Sequence, residues 1–554
     1  MAVLVGRANP EAYSVNDGPW GVDLSLTPGD PAGNLEAIND CIVAAEAGER
    51  SVVIPGLIGV NGSVVGRPTV TIRGSVRPFR GSSVALSKGS GFFLYGTVAA
   101  KTPILKMGDK DQTEQFDYAS AENLLLWGSD IQSTLSDATT SRSSIGISIR
   151  SNGLLATPVY RTKGLTFRHV LVSNCAFHID IGPHPQATPW LATYAASTAY
   201  VANMFVKPAS PNGRVYRCIL PGTTSVNLPG SGGTDDFPTI TGKTFVNGGA
   251  TFMDWGTEET GRNEEQSDDL MFERCDLIGG SVPYTGVTCY GANAGDALTW
   301  RHGLFGNAAA DGNANVDLLS GGYFRFENCY AGYNLGTNDF FRVWSPGQTI
   351  IDLCQCEGMR YFLHKPSQAS QNEGETIYLR GIYADDDIRL EKYVRVISDG
   401  TYFKSTASLY LDGAQWDGRG DMWQGSGRAV PLTIAGAGSY TNERTPYAGN
   451  PQWLLQGERI RDRIPASGAA LYDVVTVSGL QSSARANTTA YVAGDVRMNA
   501  AGTYSFTCTV AGTSAGAEPG GMGAPTLTST YVDGSVTWRC DAVTPTTKTG
   551  MTLS

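Results

Sequence analysis

Between Leu270 and Ala414 a single phrase recurs at nearly constant spacing. It reads Leu270-Met271-Phe272-Glu273-Arg274-Cys275, then Leu298-Thr299-Trp300-Arg301-His302-Gly303, then Phe324-Arg325-Phe326-Glu327-Asn328-Cys329. Ile351-Asp352-Leu353-Cys354-Gln355-Cys356, Ile377-Tyr378-Leu379-Arg380-Gly381-Ile382 and Leu409-Tyr410-Leu411-Asp412-Gly413-Ala414 continue it. Aligned on the second apolar residue, the copies are 28, 26, 27, 26 and 32 residues apart. Apolar residues two apart are the mark of a strand with one buried face. Asn328, Gly381 and Gly413 follow where the chain must bend, because Asn and Gly adopt positive φ at little cost. A single rung cannot bury its apolar side, but stacked rungs share a core, so a period in this range predicts a solenoid. A helical repeat would show a 3.6-residue period and would not accommodate 68 Gly and 27 Pro placed as turns. The expectation is an all-β chain wound as a parallel β-helix.

Weaker copies lie upstream at Leu165-Thr166-Phe167-Arg168-His169-Val170 and Val215-Tyr216-Arg217-Cys218, with Leu124–Trp127 and Ile145–Ile149 as earlier rungs. The spacing is lost between about 183 and 265, where Pro221-Gly222 and Pro229-Gly230 read as long loops leaving the coil. The organisation read from the sequence is an arm and capping helix over 1–50, the solenoid over 51–420, a connecting or trimerisation region over 421–485, and a small β-module over 486–554. Cys218, Cys275, Cys329 and Cys356 fall on an inward position and read as buried thiols, while Cys354 points outward as a reactive one. Cys508 and Cys540 could pair as a disulfide. A lone Cys354-Gln355-Cys356 has no partner pair for zinc, so no metal and no cofactor are expected.

The net charge of −11 argues against a nucleic-acid partner, and the absence of an 18-residue apolar run argues against membrane insertion. The start, Met1-Ala2-Val3-Leu4-Val5-Gly6-Arg7, lacks a basic region followed by a long apolar core, so no secretory signal is expected. Synthesis in a cytoplasm, with release by a route such as lysis, is the corresponding expectation.

Asp30-Pro31 reads as a helix cap with Pro in the first turn, and Leu35, Ile38, Ile42 and Ala45 form one apolar face. Ser51-Val52-Val53-Ile54-Pro55-Gly56 then enters the first strand. This order, after the early Asp17-Gly18 turn, resembles the pectate-lyase-like, right-handed parallel β-helix proteins of phage tailspikes, with Pro28-Gly29-Asp30-Pro31-Ala32-Gly33 standing where those proteins carry a Gly-Asp-Gly turn. Tyr491-Val492-Ala493-Gly494-Asp495-Val496, Cys508 to Ser514 and Asp533-Gly534-Ser535-Val536-Thr537-Trp538 resemble a small β-module frequent in phage tail proteins. The resemblance implies a tailspike or tail-fibre protein located in the virion tail, a homotrimer, with a bacterial surface glycan and other tail or baseplate proteins as partners. Its implied activity is recognition of surface polysaccharide, with depolymerisation, hydrolytic before eliminative, as an added possibility. The alternative is a non-enzymatic structural fibre whose C-terminal module does the binding.

Two places offer chemistry. The regular strands present an outward column of Glu273, Arg301, Glu327, Cys354, Arg380 and Asp412, beside Met271, Thr299, Arg325, Asp352, Tyr378 and Tyr410. Glu273 and Glu327, two rungs apart, come within reach of the carboxyl separation that inverting glycosidases use. Arg301 between them instead makes a salt-bridge ladder, which lowers carboxyl pKa and suits a general acid badly. The irregular stretch supplies Asp254, Trp255, Glu258, Glu259, Asp268 and Asp269, where crowded carboxyls can raise one another's pKa. Trp255, Arg301, Arg325, Trp344 and Tyr378 are the candidate sugar contacts, because rings stack on sugars and guanidinium groups hydrogen-bond their hydroxyls.

Overall fold

The computed structural model describes residues 12–549, apart from 17–19, 80–87, 97, 100–101, 110–111, 129–144, 152–157, 159, 176, 183–190, 201–203, 230–235, 240–242, 258–265, 279–284, 290–292, 307–313, 319–320, 333–337, 345, 367–374, 392–393, 405, 425–431, 437, 445–451, 456–457 and 462–471. The chain divides into one unit of residues 1–349, 357–361 and 368–370, and a second of residues 350–356, 362–367 and 371–554.

In the first unit three parallel sheets rise together. The first contains Ser51–Ile54, Thr71–Gly74, Ser120–Glu122, Thr166–Arg168, Met271–Glu273, Leu298–Arg301 and Gly321–Glu327. The second includes Leu124–Trp127, Leu171–Ser173, Asp276–Ile278 and Leu304–Gly306. The third includes Ile145–Ile149, Phe177–Ile181, Ala314–Leu318 and Asp339–Val343. The register places Phe167 beside Phe272 and Phe272 beside Trp300, and their rings stack with centroids 4.6 and 4.4 Å apart. These rings are fully buried, so the period-2 alternation of the sequence is the alternation of core and surface.

The bend from first to second sheet is a column of residues at positive φ: Asn123, His169, Arg274, His302 and Asn328. The backbone N–H of each of the first four donates to a carbonyl of the next rung, on Arg168, Glu273, Arg301 and Glu327 respectively. Asn suits this conformation, whereas His and Arg hold it at a cost of about 1–2 kcal/mol. Immediately after two of these bends the Cys275 and Cys329 side chains turn inward and are buried.

The helix Pro31–Ala47 begins at Asp30, whose carboxylate accepts the Gly33 N–H at 2.8 Å. Ile38, Cys41, Ile42 and Ala45 are buried, and Asn34 and Asn39 bond the backbone at Gly59 and Val65 in the first rung. The helix thus covers apolar surface that stacking on one side alone would leave open.

The stretch read as loops is a folded module. Strands Leu191–Thr193, Phe205–Lys207, Arg214–Leu220, Ala250–Thr257 and Thr244–Asn247 form one sheet in that order, antiparallel except for its first pair. Cys218 belongs here, in a cluster with Tyr194, Tyr200, Tyr216, Phe245 and Phe252, and not to a solenoid rung. Tyr216-Arg217-Cys218 has rung-like alternation because antiparallel and parallel strands share the same period. The opposite face of this sheet, with Phe205, Val215, Ile219, Met253 and Trp255, packs on Ile145, Phe177 and Trp344 of the solenoid.

In the second unit the rungs shorten. Thr376 pairs with Arg395 and Arg395 with Gln415, steps of 19 and 20 residues. Leu409–Asp412 lies in the third sheet beside Asp387–Leu390, so the sixth copy of the phrase belongs to a different face. The 32-residue step concealed a rung at Arg395–Asp399, because strands on two faces end in the same apolar-x-apolar-turn pattern. A second correction concerns Ile351–Cys356. Leu353 has φ 52°, is 65% exposed and donates its N–H to the Arg380 carbonyl. It occupies the bend that Gly381 occupies one rung on; Ile351 and Cys354 are buried, and Asp352, only 9% exposed, is covered by Arg380 at 2.8 Å. An exposed Leu at a bend defeats a reading based on hydrophobicity, and Cys354 is not the accessible thiol expected.

The C-terminal module has the strand order Val496–Met498, Tyr504–Val510, Val536–Val543, Thr530–Asp533. Cys508 and Cys540 are both free thiols inside its core with Phe506 and Trp538, so the disulfide is not formed. Their strands place Cys508 opposite Trp538 and Cys540 opposite Phe506, and each thiol packs as a small apolar group.

Four strands of the inserted sheet match the four of the C-terminal sheet. Cys218 pairs with Phe252 and Leu220 with Thr251 across a bulge, as Cys508 pairs with Trp538 and Val510 with Thr537. Tyr200 faces Gly222 as Tyr491 faces Gly512. The Tyr200 hydroxyl accepts the Ala195 N–H, and that of Tyr491 accepts the Ala486 N–H. Thr224 and Ser514 accept the N–H of Thr198 and Thr489, each at 3.0 Å. Thr198-Ala199-Tyr200-Val201-Ala202 and Thr489-Ala490-Tyr491-Val492-Ala493 are identical in sequence.

Candidate functional site

The outward column of the first sheet is a charge ladder. In the first unit Arg73, Glu122, Arg168, Glu273, Arg301 and Glu327 are successive register partners of alternating sign. Arg73 and Glu122 are 2.9 Å apart, Arg168 and Glu273 3.2 Å, and Arg301 and Glu327 2.6 Å; Arg325 also pairs with Glu327. In the second unit the sequence is Asp352, Arg380, Asp399, Arg419, with Asp352 in place of Cys354 and Asp399 in place of Asp412. Glu273 and Glu327 are therefore ion-paired on a partly exposed face.

The other candidates are not brought together. Asp254 is fully buried and paired with Arg214 inside the inserted module. Trp255 and Trp344 are core residues, and the Trp344 indole N–H donates to Asp317 at 2.7 Å. Asp268 lies 3.8 Å from Arg161, Asp269 is exposed at a bend with φ 53°, and Tyr378 is half-buried beside Ile397. Glu258 and Glu259 lie outside the described residues. Among the described residues no group of three His, Cys, Asp or Glu side chains could hold a metal ion, and no helix is long and apolar enough to cross a membrane.

A cleft of about 360 Å³ opens at the bend column of the first unit. Arg77, Pro78 and Phe79 line it from the segment after Thr71–Gly74, His169 and Arg274 from two successive bends, and Asp276, Ile278 and Leu304 from the second sheet. The Phe79 ring is 68% exposed at the mouth of this cleft. Burial, reinforced by the guanidinium groups of Arg77 and Arg274, holds the His169 imidazole below its ordinary pKa, so it is neutral at pH 7. Its Nδ1 is buried and, among the described residues, has no hydrogen-bond partner. Burial raises the Asp276 carboxyl, opposed by the Leu304 N–H donated at 3.2 Å and by Arg77. Chemically the cleft offers an aromatic face, two guanidinium groups, a neutral imidazole and one carboxyl. Sequence reasoning passed over all five. The available signal was His169 and Arg274 standing at bend positions where Asn or Gly is cheaper.

No protein-family model matches the chain, and no curated protein matches it. Among solved structures it is similar to an Acinetobacter phage tailspike protein, at 12% identity and TM-score 0.39 over 95% of this chain and 86% of that one. It is also similar to a Geobacillus virus protein (11%, TM-score 0.32, 98% and 77%) and to the catalytic unit of a GH87 alpha-1,3-glucanase from Streptomyces thermodiastaticus (11%, TM-score 0.32, 79% and 70%). Likeness of this order extends no further than the winding of the chain, and the chemistry must be argued from the residues present.

Proposed function

We propose that this protein is a tailspike-like receptor-binding protein that recognises a bacterial surface polysaccharide through the cleft at Phe79. The observation that carries the reading is the exposed Phe79 ring set beside hydrogen-bonding groups at the bend column of the first unit. Sugar rings pack against aromatic faces, and their hydroxyls need donors and acceptors at close range. A rigid stack of strands suits a polymer lying along several rungs. The reading includes a homotrimer mounted in a virion tail with other tail or baseplate proteins. Binding is the proposed activity; the cleft lining carries one carboxyl, and hydrolysis needs two.

Full-length protein should retain a polysaccharide from a panel of purified bacterial capsules, exopolysaccharides and lipopolysaccharides, with Phe79→Ala weakening retention at least about tenfold, a loss of about 1.4 kcal/mol. Retention of nothing in the panel would sink the reading. Unchanged binding by Phe79→Ala, with binding abolished by deleting 486–554, would transfer the function to the C-terminal module. Incubation with the retained polymer, followed for new reducing ends and for the ultraviolet absorbance of unsaturated uronates, separates binding from cleavage.

A further inference from the structure

Arginine in the first unit is normally spoken for. Arg73, Arg168, Arg301 and Arg325 pair with ladder glutamates, and the buried Arg342 pairs with Asp317. Arg77 and Arg274 differ: among the described residues neither has a carboxylate within 4.0 Å. Both are exposed, and both line the same cleft. Arg274 does so from a bend at φ 52°, a conformation that disfavours a long side chain. Two guanidinium groups face one carboxyl, Asp276, and the neutral His169 adds no charge. Among the lining groups the excess is positive, in a chain whose net charge is −11.

We propose that the cleft is built for an acidic glycan, with Arg77 and Arg274 receiving a sugar carboxylate while the Phe79 ring packs on the face of the same or the adjacent residue. A guanidinium group presents paired N–H donors that match the two oxygens of a carboxylate, and such charge-assisted bonds are about twice as strong as neutral ones. The Asp276 carboxyl, beyond the bond it accepts from Leu304 N–H, is left to accept from ring hydroxyls. A densely charged polyanion fits poorly, because Glu122 and Glu273 of the ladder stand close enough to act on the His169 ring. A polymer with one carboxylate per repeat places its charge at the two arginines and leaves neutral sugars along the rest of the face.

This inference rests on the glycan-binding reading, and the experiment separates the two. The probe is the polysaccharide retained from the panel, compared with the same polymer after its carboxyl groups have been reduced to alcohols. The expected result is at least tenfold weaker binding of the reduced polymer. Arg77→Gln and Arg274→Asn should each weaken the native polymer about tenfold, and the pair about a hundredfold, with the thermal melt not lowered by either. Asn is chosen at 274 because it tolerates the bend. Equal binding of native and reduced polymer, or a retained polymer that is neutral or carries only phosphate, overturns the acidic-glycan assignment and leaves glycan binding standing. Retention of no polymer removes both. Carboxyl reduction changes only the ligand, so the result stands even if a variant folds poorly.

Discussion

Asp317 is the residue whose removal should do the most measurable damage. Its side chain is fully buried and accepts Arg342 Nε at 3.3 Å and Nη2 at 2.6 Å, together with the Trp344 indole N–H at 2.7 Å. Arg342 is 1% exposed; burial lowers its pKa and Asp317 more than offsets that, and because a guanidinium group is not deprotonated in proteins it stays charged when its partner is gone. Asp339 is 3.9 Å away and is itself held by Arg360 at 2.8 Å, so it compensates only in part. Removing one member of a buried ion pair costs about 3–5 kcal/mol. An indole N–H left without an acceptor adds about 1 kcal/mol. Allowing for Asp339, Asp317→Ala should lose about 4 kcal/mol, and Asp317→Asn about 3 because its amide oxygen can still accept from Trp344. Glu327→Gln on the exposed ladder should lose less than about 1 kcal/mol. The assay is equilibrium urea unfolding of the full chain followed by tryptophan fluorescence, since Trp255 and Trp344 share the cluster beneath the inserted module. An Asp317→Ala loss no larger than that of Glu327→Gln would refute the reasoning, because it would mean water reaches the Arg342 site.

Three further outcomes are expected. Glu391 is held at a pKa of about 2, chiefly by its hydrogen bond with His364 and also by Arg389; a depressed carboxylate stabilises above its unfolded pKa of about 4.3 and loses that contribution as pH falls toward 2. Acid unfolding of the second unit should therefore steepen between those values, and Glu391→Gln should flatten it; a pH profile identical to wild type counts against the pairing. Cys508 and Cys540 are buried, with the Cys540 thiol pushed up to about 11. Both should resist alkylation in the native protein, react after unfolding without reductant, and show no mass loss from oxidation. Leu353→Asn should raise stability by about 1 kcal/mol, because Leu at φ 52° carries a left-handed penalty that Asn largely avoids; a decrease in the urea midpoint would show that the exposed Leu353 side chain makes a contact worth more.

The solenoid was legible because strand alternation and a recurrent bend are local patterns, and both appear plainly in Met271–Cys275 and Arg325–Cys329. The register failed at Leu409 because the sequence marks a strand and its turn but does not say which of three faces the strand joins, and at Leu353 because an apolar residue there occupies the exposed bend. The inserted module was missed because its repeat partner lies some 290 positions away in the chain, too far for a search tuned to rung spacing. The cleft was missed because its residues are ordinary singly. Arg77, His169, Arg274 and Asp276 acquire meaning only when the winding sets them side by side, while Asp254 and Asp268 of the acidic run fall in different sheets.

The matched modules have a consequence for how such a chain can change. One copy carries Val215, Arg217, Ile219, Met253 and Trp255 where the other carries Ser505, Thr507, Thr509, Arg539 and Asp541. In the first, Arg217 lies over the Phe177 ring at 3.9 Å with Trp255 at 4.5 Å, an anchorage in the solenoid wall. Five positions on one sheet surface thus separate a part welded in place from its polar counterpart. A lineage holding both can exchange wall fittings without redesigning the wall, because the strand pairing that folds each part is untouched by what its outer surface grips.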